Sequence, residues 1–88
     1  GGLQEMNMET KIHATVRMYL QAYEQRFDNP ELLQKWAKRA DALYEEMHKT
    51  KYNMTYVREH LFFCMANAET DYYLIEDLRR YFKVISRL

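Results

Sequence analysis

His60 and Cys64 stand four positions apart in this chain, a spacing that on a helix brings two side chains to one face, within reach of a single metal ion. Two donors do not complete a site. His13 and His48 would have to arrive from separate segments, and the apolar run Leu61-Phe62-Phe63 beside the pair has the character of core, so no metal site is expected. The same pair could in principle make a nucleophile, since a thiolate with an adjacent base attacks electrophilic carbon. That chemistry needs an accessible, electropositive setting, whereas Cys64 falls at an inner position of a helical stripe, where burial raises a thiol's pKa. No glycine-rich turn lies nearby to form an oxyanion site. No catalytic residue and no cofactor are expected.

Paired carboxylates can perform acid–base work or hold hard cations. Here they occur as Glu45-Glu46, Glu69 with Asp71, and Glu76-Asp77. Adjacent helical positions point about 100° apart, so such neighbours do not converge on one atom, and Glu76 is spaced to pair with Arg80 instead. Asp71 differs from the others because it occupies a stripe position. An ionised carboxylate there is costly unless paired, so it marks either a chain break facing water or a polar contact that sets register with a partner.

The C-terminal turns carry Arg79, Arg80, Lys83 and Arg87 with no acid after Asp77, beside Tyr81 and Phe82. Such a cluster can contact phosphates, and nucleic-acid contact through these four side chains is the alternative functional reading. The competing explanation is a solvated face, because cations near a helix C-terminus complement its dipole. The glycine-containing turn of a helix-turn-helix is absent from the segment.

Eight tyrosines and six methionines are a heavy load for 88 residues, and both types favour protein interfaces as well as adaptable cores. Tyr56, Phe62, Phe63, Tyr72 and Tyr73, taken with Val57, Leu61, Cys64 and Ala68, wrap most of a helix circumference. One neighbour cannot cover them all. Those five aromatics are therefore the candidate interaction surface, for a protein partner or a second copy.

The elements that would position these residues can be read from apolar spacing. Met8, Ile12, Val16, Tyr19, Tyr23 and Phe27 recur at three- and four-residue steps, which predicts a first helix over 7–27 with Asn7 as its cap. Asn29-Pro30 then closes one element and opens the next, since proline suits the first helical position and the residue before it avoids the helical region. The second helix buries Leu33, Trp36, Ala37, Ala40, Leu43, Tyr44 and Met47, supported by Glu31–Lys35 and Glu45–Lys49 pairs. Its short link to the first helix implies an antiparallel hairpin.

Asn53 is the expected cap of the third helix, with Tyr52 stapling onto Val57. From Val57 the stripe runs through Leu61, Cys64, Ala68, Asp71, Ile75, Leu78, Phe82 and Ile85. No glycine or proline interrupts it, so one long helix is expected, with a break at 67–71 and Thr70 as a new cap the alternative that gives four helices. A helix over 54–87 would be roughly 50 Å long and would overhang a hairpin of about 30 Å, exposing apolar surface that a partner must cover.

The fold class is accordingly all-α, a small helical bundle of an antiparallel hairpin plus a long third helix. Residues 1–5, opening with Gly1-Gly2, read as a tag remnant or disordered terminus, and 6–88 as one helical domain with Met6 or Met8 as the natural start. Thirteen basic and thirteen acidic residues cancel, so no global field draws the chain to nucleic acid or to an anionic membrane. The longest apolar run, 61–66, is far short of the roughly 20 residues that span a bilayer, and no membrane partner is expected. With one cysteine there is no internal disulfide, and a cytoplasmic setting follows as the default. The expected function is a non-catalytic helical protein-interaction or oligomerisation module.

Overall fold

Asn7 accepts a hydrogen bond from the Thr10 backbone N–H at 2.8 Å and so opens the first helix where the apolar spacing begins. The computed structural model describes residues 7–86. It contains four helices, α1 (Met8–Glu24), α2 (Pro30–Lys49), α3 (Tyr56–Asn67) and α4 (Tyr73–Ser86). The readings of residues 1–5 as a remnant, of Met6 as a start and of Arg87 as a phosphate contact lie outside the described residues.

The chain leaves α1 at Glu24, one turn sooner than the spacing predicts, and Phe27 is consequently 85% exposed rather than part of the inner face. The Arg26 guanidinium lies over the Tyr23 and Phe27 rings, 4.0 and 4.4 Å from their centroids. Asn29 caps α2 through the Leu32 N–H, with Pro30 at the first helical position. Neither Glu31–Lys35 nor Glu45–Lys49 forms an ion pair among the described residues; Glu46 instead meets Lys11 of α1 at 3.0 Å. That contact sets the start of α1 beside the end of α2 and establishes the antiparallel hairpin.

The end of α2 is closed by its own backbone. Thr50 is the cap, Lys51 enters the left-handed region at φ 55, the Lys51 N–H donates to His48 O at 3.2 Å and the Tyr52 N–H to Met47 O at 2.9 Å. These are the paired bonds of a Schellman closure, which normally places glycine at the left-handed residue. Tyr52 is thereby committed to the exit of α2, and the expected Asn53 cap with a Tyr52 staple gives way to Thr55, whose hydroxyl accepts from the Arg58 N–H at 3.3 Å.

The long third helix does not form. α3 ends at Asn67, whose carbonyl accepts the Thr70 and Asp71 N–H groups at 3.2 and 3.1 Å. Asp71 starts α4: its carboxylate accepts from the Tyr73 N–H at 3.2 Å and its carbonyl from the Leu74 N–H at 3.1 Å. Asp71, and not Thr70, is thus the capping residue at the break. The break keeps its charge in water, where continuity would have drawn it toward apolar neighbours. It also lets α4 fold back onto α3 and α1. The longest dimension of the described residues is 39 Å, shorter than a single helix over 54–87, so the expected overhang does not form.

The stripe itself stays inward on both sides of the break. Leu61, Cys64, Ala68, Ile75, Leu78 and Ile85 are buried with Ile12, Val16, Tyr19 and Met47 in one core cluster. A carboxylate at the start of α1 ties three segments together, because Glu9 accepts both the Tyr52 hydroxyl and the Arg58 guanidinium. Among the described residues no helix is long and apolar enough to cross a membrane.

Candidate interaction surface

The five aromatics proposed as a surface separate into two groups and a core residue. Phe62 is 6% exposed and packs in the core, its ring 5.4 Å from Tyr44. It leaves the surface because it lies one position from Leu61, on the side of α3 that faces α2. Tyr56 and Phe63 remain, 76% and 54% exposed. They flank His60 on the outer side of α3, and the three rings form a ridge with centroids 6.2 and 6.0 Å apart. Tyr81 of α4 supports that ridge from below, 4.7 Å from the His60 ring. Tyr72 and Tyr73 form the second group, stacked at 4.3 Å at the corner between α3 and α4 and more than 60% exposed. Rings held against one another lose little conformational freedom on binding, which favours them as contact area.

His60 is occupied structurally. Its Nε2 lies 3.7 Å from Asp77 and its ring is bracketed by Tyr56, Phe63 and Tyr81. Cys64 is fully buried, and burial together with the Asp77 charge pushes its thiol up from 9.0 to about 11. His13 of α1 rests on Phe82 of α4, and His48 on Tyr44 of its own helix α2. No group of three or more potential metal ligands occurs among the described residues.

The basic face of α4 is more neutralised than the sequence alone implies. Arg79 meets Glu76 at 2.7 Å and Glu24 of α1 at 3.6 Å, and Arg80 meets Asp77 at 3.6 Å. Glu76 therefore pairs one position earlier than expected, with Arg79 and not Arg80. Lys83 is exposed.

Between α2 and α3 lies an open cleft of about 260 Å³ whose wall includes Asp41, Tyr44, Glu59, Phe63 and Asn67. The Tyr44 hydroxyl donates to the Glu59 carboxylate, 3.1 Å from each oxygen, and burial with this carboxylate raises the phenol's pKa. Asp41 and Tyr44 are three apart on α2, and the positions four beyond Asp41 and Glu59 hold Glu45 and Phe63. Neither acid has a cation four positions beyond it on its own helix, although Lys38 stands three before Asp41. That lack was the available signal, although bringing the two acids together required the packing of α2 on α3.

No family model, curated protein or solved structure matches this chain.

Proposed function

We propose that the protein is a non-catalytic helical interaction module that docks a protein partner or a second copy through Tyr56, Phe63, Tyr72 and Tyr73. The observation that carries the reading is the exposure of these four large rings on a domain with a filled core. Large aromatics left in water on a small domain are characteristic of contact surfaces, and they dominate binding energy where they are found. The buried, high-pKa cysteine and the dispersed histidines support a non-enzymatic role. A reduced, cytoplasmic setting accords with the lone buried thiol.

Light scattering across a concentration series, combined with selection of binders from a random-peptide display library, tests the proposal. The expected result is either a mass that rises with concentration and returns to one chain in the Phe63→Ser, Tyr73→Ser variant, or selected peptides whose affinity falls by about tenfold or more in that variant. A single-chain mass throughout, with no peptide sensitive to the substitutions, overturns it.

The alternative of nucleic-acid contact through Arg79, Arg80, Lys83 and Arg87 draws support from the exposure of Arg80 and Lys83. The ion pairs of Arg79 and Arg80 weigh against it, since each must be broken or shared before a phosphate is bound. Low-salt titration with duplex and single-stranded DNA and RNA separates the two readings.

A further inference from the structure

The cleft between α2 and α3 has a counterpart elsewhere in the molecule. At the start of α1 the Glu9 carboxylate accepts a tyrosine hydroxyl, that of Tyr52, and also accepts the Arg58 guanidinium, which lies 5.3 Å from the centroid of the same tyrosine ring. Carboxylate, phenol and guanidinium form one unit there. In the cleft the first two parts recur: the Glu59 carboxylate accepts the Tyr44 hydroxyl, and the Phe63 ring stands beside them. Asp41 adds a second carboxylate, and no cation of the described residues pairs with either acid.

We infer that this cleft receives the guanidinium of an arginine side chain presented by a protein partner. Charge complementarity selects a cation: one carboxylate comes from each helix, and Glu59 retains lone pairs beyond the bond from Tyr44 while Asp41 accepts none from it. The planar guanidinium suits the cleft better than an ammonium because its rigid fork of donors can reach separate carboxylates while its face stacks on a ring. Size selects a side chain over a cofactor, since about 260 Å³ falls below the roughly 300 to 1,000 Å³ of sites that enclose drug-sized molecules. Phe63 belongs both to the cleft and to the aromatic ridge, so an apolar residue next to the arginine lands on Phe63 and His60. This inference rests on the interaction reading above and names the chemistry of the partner.

The test is amide chemical-shift titration of the isotope-labelled protein with three probes: the peptide acetyl-Ser-Leu-Arg-Leu-Ser-amide, the same peptide with citrulline for arginine, and arginine methylamide alone. The expected result is saturable shifts centred on Tyr44, Glu59, Phe63 and Asn67, with roughly millimolar affinity for the arginine peptide. Citrulline, the uncharged isostere, should bind about tenfold or more weakly, and the Asp41→Asn, Glu59→Gln double variant should show the same loss for the arginine peptide. Both substitutions are exposed and isosteric, and an unchanged thermal melt confirms that the variant is folded. No saturation, equal binding of the citrulline peptide, or shifts centred elsewhere overturns the inference. Arginine methylamide binding as tightly as the peptide overturns the assignment to a protein partner, because the flanking leucines then contribute nothing. Failure of the broader reading is distinguishable: peptides that bind through Tyr72 and Tyr73 and ignore the double variant refute the cleft alone, whereas arginine in the cleft of a chain with no aromatic-dependent partner refutes the interaction surface alone.

Discussion

Replacing Lys51 with glycine should stabilise this protein, and the gain can be worked from the turn that closes α2. Lys51 sits at φ 55 between two backbone hydrogen bonds, 3.2 and 2.9 Å, that require the left-handed conformation. A residue with a Cβ there bears a steric cost of about 1–2 kcal/mol, while glycine surrenders about 0.5–1 kcal/mol more chain entropy on folding. The net expectation is a gain of about 0.5–1 kcal/mol, which in a domain of this size raises Tm by about 2–8 °C. Lys51→Ala is the necessary control: it removes the charge, which acts on the C-terminal dipole of α2, and keeps the Cβ. Circular-dichroism melts and urea titrations of the three proteins measure the two effects separately. If glycine is no more stable than alanine, the left-handed strain assigned to Lys51 is wrong and the closure of α2 must be otherwise arranged.

Three further outcomes follow from the core and its buried polar groups. Tyr19→Phe should be neutral or stabilising by about 1 kcal/mol in urea unfolding, because the Tyr19 hydroxyl is buried without a hydrogen-bond partner and removing it relieves a desolvation cost; a loss above about 1 kcal/mol would indicate an unseen partner. Leu61→Ala should cost about 2–5 kcal/mol, whereas Phe63→Ser, two positions away but half exposed, should lie within about 0.5 kcal/mol of the parent. Stability should fall on the alkaline side: burial raises the Cys64 thiol from 9.0 to about 11 and raises the Tyr19 phenol as well. These groups shed protons more readily when unfolded, so their contribution is complete below pH 9 and is lost as pH rises toward 11. Cys64→Ala should flatten that limb of a denaturation-against-pH series, and Cys64 should resist alkylation at neutral pH until the chain unfolds.

The caps and stripes that depend on short-range chemistry were legible in the sequence. Asn7, Asn29 and Pro30 act as their types predict, and the inward register of Leu61, Cys64, Ile75, Leu78 and Ile85 survives. What failed was continuity through Asp71. No proline or glycine marks the break, and its cause is tertiary, since α4 gains a packed face on α3 and α1 only by turning back. The polar residue in the stripe was itself the clue, and its stronger meaning was a helix start. Phe62 illustrates the limit of circumference arguments: with aromatics on nearly every side of α3, only the placement of α2 decides which of them is covered. The Asp41–Glu59 cleft was illegible for the same reason, because its acids come from different helices.

We propose that the protein acts through its exposed aromatic rings. Chemical-shift mapping with peptides selected from a random library measures this most directly. The largest changes should fall at Tyr56, Phe63, Tyr72 and Tyr73 and disappear when these residues are serine. Selected peptides that perturb the Arg80 and Lys83 face instead, or that bind the serine variant undiminished, would contradict it.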